Sequence, residues 1–317
     1  MQGSQEEKSV SVILPIFNEA KNISSIVSTI STEMNKLNLV WEIILVDDGS
    51  NDQSWDTISQ LHNENTIVKG IRFSRNFGHQ YALFAGLEHA NGDAVISMDA
   101  DFQHPPAMIP ELIVEWRKGF EIVNTIRLEQ ANGFVIKNLF SRYYYKVFSY
   151  LSGVNLQNGC AEFRLLDRKV VNDILKFKEE GLFLRGIIEW VGFRKTNLSY
   201  QCQPRKFGES KYSLSKMLRL AWNGISSFST VPLRIGVITG LVISVVSFIG
   251  IAYAMYSKYI DGNAVPGWAS SIAINSFLFG MLFMYLGLIA EYIGRILVEV
   301  RHRPRYLISE KIGVRNQ

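Results

Sequence analysis

Cysteine is nearly missing from this chain: Cys160 and Cys202 are the only two in 317 residues, and no Cys-x-x-Cys spacing occurs. That excludes a disulfide framework and fits a reducing compartment, with both thiols read as small buried residues. Also absent is Gly-x-Gly-x-x-Gly. The first strand-to-helix turn, Pro15-Ile16-Phe17-Asn18-Glu19-Ala20, has no glycine at all, which disfavours NAD or FAD on a dinucleotide fold. There is no low-complexity tract, no Gly/Ser linker and no internal repeat. Residues 1–8 are polar and lack an apolar stretch, so a signal peptide is not expected there. The net charge of +4 is modest and gathers beside apolar segments, which points to a membrane surface and away from nucleic acid.

Formal charge vanishes in two runs, residues 235–256 and 268–290. As helices each would extend about 33–35 Å, enough for a hydrocarbon core, so the sequence predicts two transmembrane helices. Arg205, Lys206, Lys211, Lys216, Arg219 and Arg234 precede the first run, and Arg295, Arg301, Arg303, Arg305, Lys311 and Arg315 lie at or beyond the end of the second. This bias predicts a cytoplasmic-membrane protein with the hairpin outside and the soluble domain and both termini in the cytoplasm. Just before the first run, Leu214, Met217, Leu218, Ala221, Trp222, Ile225 and Phe228 share one helical face. It reads as an interfacial amphipathic helix, with packing on the soluble domain as the alternative.

The first two hundred residues alternate differently. Strand-like runs at 10–17, 41–46, 67–73, 94–98 and 121–126 are separated by amphipathic stretches at 20–37, 52–62, 80–90 and 107–118. Such βαβ alternation predicts an α/β fold with a mostly parallel, doubly wound sheet.

Where the fourth run ends stands Ser97-Met98-Asp99-Ala100-Asp101-Phe102-Gln103-His104-Pro105-Pro106. An Asp-x-Asp triplet alone is commonly a solvated turn. Here it follows a short apolar strand, and the proline pair stops the strand from continuing. Ligands of open α/β sheets bind beyond the carboxyl ends of strands, so Asp99 and Asp101 are placed to meet one. Oxygen ligands sharing a site with phosphates suit Mg²⁺ or Mn²⁺. The second run ends in Asp47-Asp48-Gly49-Ser50-Asn51-Asp52, an Asp-Gly turn with a helix cap that also sets Asp48 at the same edge, to hold a ribose or uracil. His79 and His104 lack a metal-pair spacing and read as polar loop residues.

These motifs resemble the inverting family-2 glycosyltransferases of GT-A (Rossmann-like) fold, and within them the polyprenyl-phosphate type, especially the bactoprenol (undecaprenyl-phosphate) glucosyltransferases. The likeness runs through Phe73-Ser74-Arg75-Asn76-Phe77-Gly78, Glu162-Phe163-Arg164-Leu165-Leu166, Gly208-Glu209-Ser210-Lys211-Tyr212, Glu291-Tyr292-Ile293-Gly294-Arg295 and Arg303-Pro304-Arg305-Tyr306. The resemblance implies that Asp99, Asp101 and Gln103 surround Mg²⁺ or Mn²⁺ on a sugar-nucleotide diphosphate. It assigns Pro15, Glu19 and Asp48 to the nucleoside pocket, Arg127 to phosphate, and Arg205, Ser210 and Lys211 to the lipid phosphate; the basic pair also reads as a topology signal alone. In three places the chain departs from the pattern: Phe102 replaces Leu, Glu162 replaces Asp, and Thr125 stands where Gly precedes the Arg by two.

The function so implied is inverting transfer of a hexose, glucose from UDP-glucose first, to polyprenyl phosphate. The cation held by Asp101 would neutralise the departing diphosphate. Glu162 is cast as a positioning residue rather than an obligatory base, or as a structural carboxylate paired with Arg164. The expected organisation is a catalytic domain at 1–205, a basic loop and juxtamembrane helix at 206–231, a transmembrane hairpin at 232–290 and a basic tail at 291–317. Expected partners are the sugar nucleotide, polyprenyl phosphate and membrane lipid, with a homo-oligomer through the spans and no nucleic acid. Competing readings are a processive polysaccharide synthase, disfavoured by the lack of Gln-x-x-Arg-Trp and of further spans, and a non-catalytic nucleotide-binding membrane adaptor, disfavoured by the intact strand-end acids.

Overall fold

The computed structural model of the chain describes residues 8–128, 160–179, 183–201, 231–259 and 267–314. Its strands are β1 (Ser9–Ile16), β2 (Val40–Asp47), β3 (Val68–Phe73), β4 (Ala94–Ser97), β5 (Ile122–Leu128), β6 (Cys160–Asp167), β7 (Lys195–Gln201) and β8 (Ile308–Ile312). Its helices are α1 (Ala20–Asn35), α2 (Ser54–Glu64), α3 (His79–His89), α4 (Ile109–Arg117), α5 (Arg168–Ile174), α6 (Leu184–Trp190), α7 (Val231–Tyr259) and α8 (Trp268–Val300), with a 3₁₀ turn at Pro106–Met108. The eight strands form one sheet in the order β7-β5-β6-β4-β1-β2-β3-β8.

β4, β1, β2 and β3 make the parallel centre. Their runs of Val, Ile and Leu are buried along most of their length, as strands covered on both faces must be. α1 shows the matching helical pattern: Ile23, Ile26, Val27, Ile30 and Met34 recur at helical spacing and are buried in the same core as Val10, Val12 and Leu14. Each such side chain taken out of water contributes about 1.5–3 kcal/mol.

Because β2 and β3 lie on one side of β1 and β4 on the other, the connection reverses direction at β1. Ligand crevices of open sheets form at such a reversal. The β1–β4 ladder stops at Ile13 opposite Ser97, whereas β1–β2 pairing runs on to Ile16 opposite Asp47. Pro15 is buried in that extension, paired with Val46, where β1 has already left β4 and a missing N–H costs least.

The local alternation carries no sign of two features. β6 enters antiparallel between β4 and β5, so the fifth strand does not neighbour the fourth. Its pairing with β5 shifts register between Asn124 and Ile126, so the backbone is irregular at Thr125, the residue that departs from the family pattern. β8 then closes the other edge antiparallel to β3, where the sequence leaves only a basic tail.

The chain divides into two units, and Pro304–Gln317 belongs with the sheet. The other unit contains α7 and α8. Both charge-free runs are therefore helical. Among the described residues, one segment, Phe277–Val300, is long and apolar enough to cross a membrane, with mean hydropathy 1.7; Ile235–Gly250 is a shorter apolar stretch. That segment begins later than the expected run at 268–290 and continues past Glu291. Arg205, Ser210, Lys211 and the amphipathic stretch 214–228 lie outside the described residues.

Candidate active site

Three strand ends meet along the carboxyl edge of the sheet. The turns after β1 and β2 are stitched together: Asn18 N–H donates to Ser50 Oγ (2.9 Å), Asn51 N–H to Asn18 Oδ1 (2.9 Å), and Glu19 N–H to Ser54 Oγ (3.1 Å). Asn18 takes a left-handed backbone (φ 56°), which asparagine tolerates. Glu19 opens α1, its carbonyl accepting from Asn22 and Ile23 N–H and its carboxylate from Asn22 Nδ2 at 2.6 Å. Gly49 is obligatory in the second turn. Its φ is +67°, and a Cβ there would lie 2.3 Å from the Arg75 carbonyl carbon.

Asp48 is buried and accepts N–H donation from Phe77 (2.7 Å) and Gly78 (3.0 and 3.1 Å to its two oxygens). Burial pushes its carboxyl up, opposed by those N–H groups and by His79. Asp48, the residue expected at a ribose or uracil, also anchors the 74–78 loop. Asp47, also fully buried, accepts from Ser50 N–H (2.9 Å) and has Arg72 Nε 3.6 Å away. Its carboxyl too is raised by burial, with Ser50 and Arg72 pulling it down.

The β4 loop is the most strained part of the edge. Phe102 holds φ at +63°, costly for a bulky residue, and is nearly buried. This bend lets Asp101 Oδ1 accept from Gln103 N–H (3.0 Å). Arg127, exposed near the end of β5, reaches Gln103 Oε1 with Nη1 at 3.5 Å. Asp99 lies between two imidazoles: its Oδ1 is 3.5 Å from His79 Nε2, and its Oδ2 is 3.7 Å from His104 Nδ1. The His104 approach is not an ion pair, because Nδ1 accepts the Asp99 backbone N–H at 3.0 Å and its proton therefore belongs on Nε2. Burial holds this ring below its ordinary pKa against the pull of Asp99, Asp101 and Glu162, and it stacks on Phe163 with centroids 5.4 Å apart. Sequence alone put both histidines in polar loops. The Gly78–His79 step at the start of α3 and the Asp99/His104 spacing across one turn were the only available signals.

Glu162 sits on β6, almost fully buried. Arg185 Nε donates to it at 2.6 Å, Gln80 Nε2 at 3.2 Å, and Arg164 Nη2 is 3.6 Å away. Burial alone would raise its carboxyl, but Arg185 and Arg164 hold it down at about 2. The pairing with Arg164 was expected. Arg185 and Gln80 were not, since each comes from a different part of the chain. β6 is locked to β4 because Ser97 Oγ donates to the Glu162 carbonyl at 2.6 Å.

The donor set at the β4 loop is oxygen-rich and incomplete. Among the described residues no group of three or more His, Cys, Asp or Glu could hold a metal ion. Asp99 and Asp101 are oxygen donors of the kind a hard cation takes, and among the described residues they are not part of an all-protein cage. A cavity of about 420 Å³ lies elsewhere, among Phe84, Glu88, Phe177, Arg305 and Tyr306, and no strand-end carboxylate lines it.

The family described as glycosyl transferase family 2 matches residues 11–175. An uncharacterized glycosyltransferase of Bacillus subtilis, YkcC, is 35% identical over 307 residues, 97% of this chain and 95% of that protein. The bactoprenol glucosyl transferase of Shigella phage SfV is 36% identical over 302 residues, 95% of this chain and 98% of that protein. Among solved structures, mannosyl-3-phosphoglycerate synthase from Rubrobacter xylanophilus aligns at TM-score 0.48 and 17% identity, covering 72% of this chain and 74% of that one, a likeness too slight to carry an argument.

Proposed function

The chain belongs to glycosyl transferase family 2 and is an enzyme, a glycosyltransferase; from that premise we propose that it transfers glucose from UDP-glucose to polyprenyl phosphate at the cytoplasmic face of a membrane. The observation that carries the reading is the convergence of Asp99 and Asp101, Arg127 through Gln103, and the stitched β1 and β2 turns on one edge of the sheet. The full-length match to a protein named as a bactoprenol glucosyl transferase supports the acceptor and the sugar.

In this reading Glu19 and the Asp48-braced loop border the nucleoside, with Pro15 beneath them in β1. Asp99 and Asp101, with Gln103 beside them, hold Mg²⁺ or Mn²⁺ on the diphosphate. When bound, the cation supplies Lewis-acid neutralisation of charge on the leaving group. Arg127 adds a guanidinium, suited to phosphate oxygens. The acceptor phosphate has a second pKa near 6, so it is mostly dianionic at neutral pH and needs no base. One of its oxygens attacks the anomeric carbon, the bond to the diphosphate breaks with its electron pair leaving on the nucleotide, and the configuration inverts.

Glu162 fits that scheme as a positioning residue: a carboxylate held near 2 is a poor proton acceptor at neutral pH. It fixes Arg185 and Gln80, and Gln80 in turn accepts the Leu184 N–H that opens α6. Arg205, Ser210 and Lys211 are proposed to draw the lipid phosphate. Two spans, α7 and α8, with both termini cytoplasmic and a homo-oligomer through the helices, complete the proposal. Large apolar side chains exposed on both helices support it.

The test is to incubate the full-length protein in detergent with undecaprenyl phosphate, Mg²⁺ or Mn²⁺ and a panel of sugar nucleotides, then analyse the extracted lipid by mass spectrometry. A hexosyl phospholipid formed from UDP-glucose is expected. A water-soluble polymer, or no lipid product from any donor, contradicts the reading.

A further inference from the structure

β8 and the two residues before it, Tyr306 and Leu307, reach the site's turns by two separate routes. The strand lies antiparallel on β3, with Lys311 opposite Ile71, Glu310 opposite Arg72 and Ile308 opposite Phe73. Along the first route, Glu310 accepts from Arg72 Nη1 at 2.9 Å and from Trp55 Nε1 at 3.1 Å. The same Arg72 turns its Nε to within 3.6 Å of Asp47 Oδ2, a buried oxygen without a hydrogen-bond partner. The other oxygen of Asp47 holds Ser50, and Ser50 holds Asn18. Along the second route, Ser74 N–H donates to the Leu307 carbonyl at 2.9 Å, and Tyr306 stacks on Phe73 at 4.7 Å while bonding Glu88. Phe73 meets Phe77 edge-on at 5.7 Å, and Phe77 is one of the two N–H donors to Asp48.

Both strand-end acids of β2 are therefore braced, through Arg72 and through Phe73 and Phe77, by residues about two hundred and sixty positions later in the chain. A guanidinium is planar and its five donors are fixed in a fork, so where Arg72 points is set by what holds its far side. With Glu310 in place, that side is occupied and Nε faces Asp47. Arg72 is already about a third exposed with Glu310 in place, so loss of that bond leaves only the face of Trp55 to keep it from solvent and weakens the compensation of the buried Asp47 carboxylate beside the Ser50 turn.

We propose that β8 is a positioning element of the nucleotide-sugar pocket, with Glu310 acting through Arg72 on Asp47 to hold the 47–50 turn in its binding shape. The inference rests on the reading that this turn borders the donor. It gives the tail a task beyond topology: the stretch of chain that follows α8 directly is also the one that braces the donor turn. Glu310 touches no substrate, and its effect is confined to the donor side.

The experiment uses the full-length enzyme in detergent and compares wild type, Glu310→Gln, Arg72→Ala and the double variant. Donor KM, acceptor KM and kcat are measured, together with the Kd for UDP by calorimetry and the thermal unfolding midpoint. We expect Glu310→Gln to raise donor KM and UDP Kd about five- to tenfold, in line with a charged hydrogen bond, while acceptor KM is unchanged. The double variant should be no worse than Arg72→Ala alone, because the two residues act in series. An unchanged donor KM and UDP Kd in Glu310→Gln overturns the proposal. So does a rise shared equally by donor and acceptor, or fully additive effects in the double variant. A wild-type enzyme that transfers no sugar to polyprenyl phosphate defeats the functional reading instead, and the UDP Kd series then still decides this one.

Discussion

The two units of this protein use the same side chains in opposite ways. In the sheet unit Val10, Val12, Leu14 and Ile44 have no more than a trace of exposed surface, whereas in the helical unit Phe248 is 75% and Phe283 67% exposed. Apolar surface of that extent is not left in water by a stable fold. The first unit gains its stability by burying apolar groups within itself and can then hold strain at Phe102. The second needs an apolar surrounding from outside. We read that surrounding as lipid, which explains how one chain can bring a water-soluble sugar nucleotide to a lipid phosphate.

The sharpest way to separate the units is Asp101→Asn. Transfer should fall about a thousandfold, while the variant sediments with membranes and unfolds like wild type, because the substitution removes charge at the site and touches no core. Loss of membrane association along with activity would break the division. A paired truncation sharpens it further. Leu14→Ala should cost about 2–5 kcal/mol of stability, measured by thermal unfolding in detergent. Phe283→Ala should cost under about 0.5 kcal/mol, since detergent and lipid tails are as apolar as the ring they contact. Equal costs would mean that Phe283 belongs to a packed interior.

Gly49→Ala comes next. The added Cβ meets backbone at 2.3 Å in a left-handed position, and a loss of about 2–3 kcal/mol is expected, again by thermal unfolding. The last effect is one of pH and appears only in acid. Glu162 has its carboxyl lowered from 4.5 to about 2, so its ion pairs add stability that is complete above pH 4.5 and is lost as pH falls toward 2. The unfolding midpoint of wild type should therefore fall more steeply than that of Glu162→Gln across this interval. Parallel curves would remove the ion pairs from the account.

The same division governs what sequence could and could not reveal. The parallel centre was legible because β1, β2, β3 and β4 are short apolar runs and α1 repeats at helical spacing, both local patterns. The places of Asp99, Asp101 and Asp48 just beyond strand ends were legible because apolar runs stop there. β8 was not. Ile-Ser-Glu-Lys-Ile is a half-exposed edge strand that pairs with β3, far back in the chain. The antiparallel entry of β6 was hidden for the same reason. Glu162 was singled out, but its company was missed: Gln80 lies 82 positions before it and Arg185 23 after it, and no spacing rule joins them. The bonds that Asp48 accepts from Phe77 and Gly78 were hidden in the same way, 29 and 30 positions away.

The central claim is that the carboxylates at the end of β4 hold a divalent cation only together with a nucleoside diphosphate. Electron paramagnetic resonance of Mn²⁺ titrated into the full-length protein, with and without UDP, tests it directly. The account predicts that the free-ion signal falls steeply only when UDP is present and that Asp101→Asn abolishes the fall. Tight binding of Mn²⁺ without nucleotide, or an identical titration in Asp101→Asn, would contradict it.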